Sequence, residues 1–244
     1  MIGRALRAQA RSLGGDIVLV GVAAAALVMS LSLATSIPPE FADAPAGVRE
    51  TLTTPFSAVL ATYGAVLAAV YGSFRYTVDR RDGVIAQRLM LQSRRATLLV
   101  RVPTSVLGGA LVALAAVVGG HTALAVTMGG IPVEGASVGR TLVIGAVAGL
   151  WGMGLGMVVQ AHLLALFVVP MSMGVALLVA MLWADGAVYL PLLAILEAFH
   201  FDVTALGIRS AGALDHTTAV LVTAGWVFVA VASGGVSFLS RDVT

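Results

Sequence analysis

Glu197, His200 and Asp202 fall within one short stretch and are the chain's nearest approach, by type and spacing, to a metal-binding group. Carboxylates and an imidazole so close in sequence suggest a metal site. They stand beside an apolar run, however, where a polar cap on a helix end accounts for them, and no metal is expected. Cysteine is absent, which excludes disulfides, thiolate metal sites and cysteine nucleophiles. All 14 basic residues are arginine, so there is no P-loop, Schiff-base or general-base lysine. No GxxxxGK[ST] stretch occurs, so this chain is not expected to hydrolyse ATP itself. No catalytic residue and no cofactor are assigned to it.

The elements that carry these residues belong to a membrane. Hydrophobic residues make up 59% of the 244 and charged residues 11%, with a mean hydropathy of +1.01. That is too apolar for a water-soluble surface, so lipid must solvate much of the chain. A formal charge of +2, with no basic stripe interleaved with aromatics, argues against a nucleic-acid partner. The Ala, Val, Gly and Arg bias fits a GC-rich bacterial genome.

About 20 apolar residues cross a bilayer as a helix, and a charge at its centre costs at least about 2.5 kcal/mol. Stretches free of Asp, Glu, Arg and Lys therefore mark the spans. They predict six, near 17–37, 55–74, 102–124, 141–160, 163–183 and 217–239, in one transmembrane domain over 1–244. The fourth and fifth share one long stretch, broken by a tight turn at Gln160, Ala161 and His162. Arg4, Arg7, Arg11, Arg75, Arg80, Arg81, Arg88, Arg94, Arg95, Arg101 and Arg241 fall on one side, against Arg49, Arg140 and Arg209 on the other. By the positive-inside rule both termini are expected in the cytoplasm. Arg4, Arg7 and Arg11 before an apolar run resemble a signal peptide, but the run is too long for one and reads as a retained span.

Three segments are not simple spans. Residues 1–15 place Ile2, Leu6, Gln9 or Ala10, and Leu13 on one face, the pattern of a helix lying in the cytoplasmic interface. Residues 75–101 break at Asp82 and Gly83 and then read as an amphipathic helix, with Val84, Ile85, Leu89 and Leu91 apolar and Arg88, Arg94 and Arg95 turned to head groups or a partner. The outer segment 185–216 holds an apolar patch, Val188 to Leu196, too short to span and expected as re-entrant or interfacial half-helices. In the fourth span Gly145 and Gly149, then Gly152 and Gly156, form two GxxxG spacings that permit close helix packing. Trp151, Trp183 and Trp226 fit either interfacial anchors or core filler.

No Asp, Glu, Arg or Lys lies inside an expected span, whereas an ion-coupled carrier keeps an ionisable residue there to bind its ion. A passive or externally powered transport domain fits this emptiness better. The chain resembles, over nearly its whole length, a bacterial ABC transporter permease of the ABC 2-type membrane family. The resemblance rests on six spans, a basic loop after the second, Asp79 followed by Gly83, Leu89 to Leu91, and the Ser93-Arg94-Arg95 turn before the third span. Arg101 stands where a lysine is usual, Val84 replaces a frequent threonine, and Gln92 a frequent proline. GLWGMGLGMVVQAHLLAL and the terminal SRDVT resemble actinobacterial members.

The resemblance implies an exporter subunit in the bacterial plasma membrane, paired with a second copy or a paralogue. A separate ATP-binding subunit would carry ATP and Mg²⁺ and touch Asp79, Gly83, Ile85, Arg88, Leu89, Arg94 and Arg95. Charge reversal at Arg88 and Arg94 is expected to uncouple hydrolysis from transport. The alternatives are a membrane-embedded sensor or immunity subunit that binds a peptide or lipid without moving it, and an uncoupled channel or secondary carrier.

Overall fold

The computed structural model describes residues 13–33, 45, 47, 53–129, 133–208 and 214–240. Among them every regular element is helical. The elements are α1 (Ile17–Ser32), α2 (Thr53–Arg81), α3 (Val84–Leu91), α4 (Arg94–Met128), α5 (Gly135–Val159), α6 (His162–Leu182), α7 (Ala184–Ala187), α8 (Pro191–Ala198), a 3-10 turn (Val203–Leu206) and α9 (His216–Ser240). The helices α2, α4, α5, α6 and α9 are long and apolar enough to cross a membrane, so this is an all-α, multi-pass membrane protein. At 16 residues α1 is apolar but shorter, and residues 34–37 of the expected first span lie outside the described residues. So do residues 1–12 of the expected interfacial helix.

Two of the helices outrun the bilayer. A 35-residue α4 is about 52 Å long and a 29-residue α2 about 44 Å, against a hydrocarbon core of about 30 Å. Their charges, Arg75, Asp79, Arg80 and Arg81 on α2 and Arg94, Arg95 and Arg101 on α4, all sit at the α3 end, so the excess projects there as a stem. Within 75–101, only Asp82-Gly83 and Gln92-Ser93 lie outside helices. Charge-free stretches bound what lipid tolerates, not where hydrogen bonding stops; past the head groups the helices simply continue.

Local chemistry sets the breaks. Gly83 adopts φ 73° with open space where a Cβ would go, so conformation alone demands glycine there. Ser93 starts α4 by accepting from the Ala96 amide at 3.3 Å. Gln160, at φ 59°, turns α5 into α6, and its Nε2 donates to Ser237 Oγ of α9 at 3.1 Å. In the outer segment Pro191 opens α8 at its first turn, where its missing N–H costs nothing. Leu192, Leu193, Ala194, Ile195 and Leu196 of α8 are all buried within the bundle.

The bundle packs around α5, whose glycines let three neighbours approach to backbone contact. A Cβ on Gly145 or on Gly149 would lie 2.5 Å from the Gly109 or Ser105 carbonyl oxygen of α4. One on Gly152 would collide with the Ala69 backbone of α2, and one on Gly156 would come within 2.8 Å of Ser73 Cα. The two GxxxG spacings thus serve two different helices. Gly154, outside either spacing, abuts Ala230 and Gly234 of α9. Trp151 is buried against α6, where its Nε1 donates to Ser172 Oγ at 3.2 Å, whereas Trp183 is exposed.

Candidate functional site

The stem end of the bundle gathers charge that the apolar spans lack. Asp16 caps α1, accepting from the Val18 amide at 3.1 Å, and its carboxylate forms a buried ion pair with Arg75 of α2. Tyr71 Oη, one turn along α2, donates to the same carboxylate at 3.1 Å. On the next turn of α2, Asp79 accepts from Arg101 Nη2 of α4 at 2.6 Å. The Arg101 guanidinium also lies over the Tyr76 ring, 5.4 Å from its centroid. Arg101 is 2% exposed, so this desolvated cation has one carboxylate and one aromatic face for compensation.

Beside this pair sits α3. Ile85 is 0% exposed and joins Tyr76, Met153, Met157 and Phe238 in an apolar cluster, with Leu89, Leu98 and Val102 packed around it. Tyr76 and Phe238 meet edge to face at 6.2 Å. Ile85 and Leu89 are four apart, so one helical face is seated in the bundle. The far end of α3 is bare, with Met90 85% and Leu91 80% exposed. Arg94 Nη1 donates to the Leu239 carbonyl at 3.2 Å, supporting the C-terminal end of α9 where a cation is favoured. Arg88 is half-buried and Arg95 exposed.

Of the residues the sequence pointed to, Asp79, Ile85 and Leu89 converge on this junction. Gly83 hinges its entry, and Arg94 is engaged with α9. Asp16, Tyr71, Arg75 and Tyr76 are members that sequence reasoning did not single out, since a charge at a span end serves topology by itself and an apolar-span tyrosine carries no signal. Arg101 stood only as a position of the family resemblance. A signal was present: Arg75 and Asp79 are four apart on a helix, hence on one face.

The Glu197, His200 and Asp202 group does not converge. Asp202 Oδ1 accepts from the Thr204 amide at 2.8 Å and from its hydroxyl at 2.5 Å, and so caps the 3-10 turn. His200, at φ 58°, stacks on His216 with ring centroids 4.4 Å apart. Among the described residues no three metal-ligating side chains come together. Burial, and then the neighbouring Asp202 charge, push the Glu197 carboxyl above the usual carboxylate range. Asp215, capping α9, is held below its usual range by hydrogen bonds from Thr218.

At the opposite end, a cavity of ≈ 870 Å³ opens between α1, α2, α6 and the 3-10 turn. Val66, Leu67, Leu177 and Met181 make its walls largely apolar, with Thr62 and Tyr63 the polar side chains among its lining. Comparison of the chain with family models, with curated proteins and with solved structures returns no match.

Proposed function

We propose that this chain is the membrane-spanning permease subunit of an ATP-driven exporter in a bacterial plasma membrane, with six spans and both termini in the cytoplasm. A second copy or a paralogue completes the translocation path, and a separate ATP-binding subunit supplies the stroke. The observation that carries the reading is the two-faced character of α3. One face is seated in the bundle through Ile85 and Leu89, while Met90 and Leu91 stand out from it on the side that arginine placement assigns to the cytoplasm. A short helix embedded on one side and bare on the other suits the transfer of motion from a soluble partner. ATP and Mg²⁺ belong to that partner.

The test is to purify the tagged protein from its native membrane in mild detergent and identify what accompanies it. A stoichiometric subunit bearing a P-loop, lost in the variant Met90→Glu, Leu91→Glu, is the expected result. Recovery of the chain alone, in detergents that preserve known complexes, overturns it. The apolar outer cavity supports a second reading, a membrane-embedded sensor or immunity subunit that holds a peptide or lipid without moving it. Transport of a labelled cargo, as against binding alone, separates the two.

A further inference from the structure

We propose that Ile85, Tyr76, Arg101 and Asp79 form a latch in which the seating of α3 holds the stems of α2 and α4 together. Ile85 is sealed in the same cluster as Tyr76, and the Tyr76 ring lies beneath the Arg101 guanidinium that grips Asp79 across the helix pair. Arg101 Nε has no hydrogen-bond partner among the described residues, so the guanidinium is incompletely compensated while dry. Withdrawal of Ile85 opens a route for water to that cation. Hydration then competes with Asp79, and the tie between α2 and α4 weakens.

A second feature of α4 suits it to respond. Pro103 stands two residues past Arg101 inside the helix and leaves the Leu99 carbonyl without its usual amide donor. The stem of α4 can therefore pivot relative to the part in lipid. The glycine-tight contacts of α5 with α4, at Ser105 and Gly109, lie beyond that pivot and hold the part of α4 in lipid against the bundle. The latch has two states: seated, dry and clamped, or unseated, hydrated and open.

The native absence of cysteine makes the test direct. Spin labels at Arg81→Cys and Leu99→Cys report the separation of the α2 and α4 stems in the full chain in lipid nanodiscs, and a label at Gln87→Cys reports the mobility of α3. The native background should give one narrow distance distribution. Ile85→Asn should mobilise α3 and also broaden and lengthen the stem distance, and Ile85→Leu should restore both. Arg101→Met should broaden the stem distance by itself, and the double variant should add little to either single one. If Ile85→Asn impairs insertion, Ile85→Ala is read in the same way. A mobile α3 with an unchanged stem distance overturns the latch, as does full additivity in the double variant. The use of the latch in transport rests on the permease reading, but this measurement needs no ATP-binding subunit. Failure to find such a subunit leaves its outcome legible.

Discussion

Arg101 of α4 and Asp79 of α2 meet at 2.6 Å with the arginine sealed from water, so two stems that leave the membrane side by side are joined by a desolvated charge pair. Removing one partner of such a pair costs about 3–5 kcal/mol, whereas replacing both with apolar groups of similar size is often near neutral. Asp79→Asn should therefore lower the unfolding midpoint in detergent strongly. The double variant Asp79→Leu, Arg101→Met should recover most of the loss. Equal destabilisation by the single and double variants would show that the pair is not a coupled unit.

Glycine positions on α5 and α6 should respond in opposite directions. Gly152→Ala forces a methyl into the Ala69 backbone and should destabilise by about 1–3 kcal/mol or more, as overpacking does. Gly174 of α6 has nothing within 4 Å, so Gly174→Ala should stabilise the helix by about 0.5–1 kcal/mol. Thermal unfolding of the two variants in one detergent checks both, and a neutral Gly152→Ala would contradict the backbone contact.

Glu197 supplies a pH signature. Burial and Asp202 raise its carboxyl pKa in the folded protein, so the folded state binds more protons than the unfolded state between the ordinary and the raised value. Stability therefore falls as pH rises through that window. Glu197→Gln removes this dependence and should melt higher than the native protein near neutral pH but not in acid. Parallel melting curves for the two proteins at every pH would refute the assignment.

Orientation can be read with single cysteines on the cysteine-free chain. Arg95→Cys at the stem should resist a membrane-impermeant maleimide in intact cells and react once they are permeabilised. His200→Cys, exposed between α8 and the 3-10 turn, should react at once. The reverse pattern would invert the topology.

Much of the architecture was legible in the sequence because it depends on local properties. Apolar content fixes the solvent as lipid, and the long apolar stretches foretell helices able to cross it. The turn at Gln160 falls at polar residues midway along an apolar stretch too long for one span, the break at Gly83 comes from a residue whose own backbone freedom interrupts a helix, and the structure places both there. The amphipathic stretch after Gly83 is a helix for the same reason.

The partners of those elements were decided only in three dimensions. Nothing local says that Gly145 and Gly149 face α4 while Gly152 and Gly156 face α2, because GxxxG specifies a groove and not its occupant. Asp16 and Arg75 are far apart in the chain, as are Arg94 and Leu239, and their pairing follows from how whole helices dock. Asp16 and Arg75 mark only a span end in the sequence, since a charge there satisfies the membrane whether or not it has a partner. Burial of Ile85 beside Tyr76 and Arg101 turned that end of the bundle into a site: tertiary packing removes water, and only without water do these few charges acquire directional, costly and therefore informative interactions.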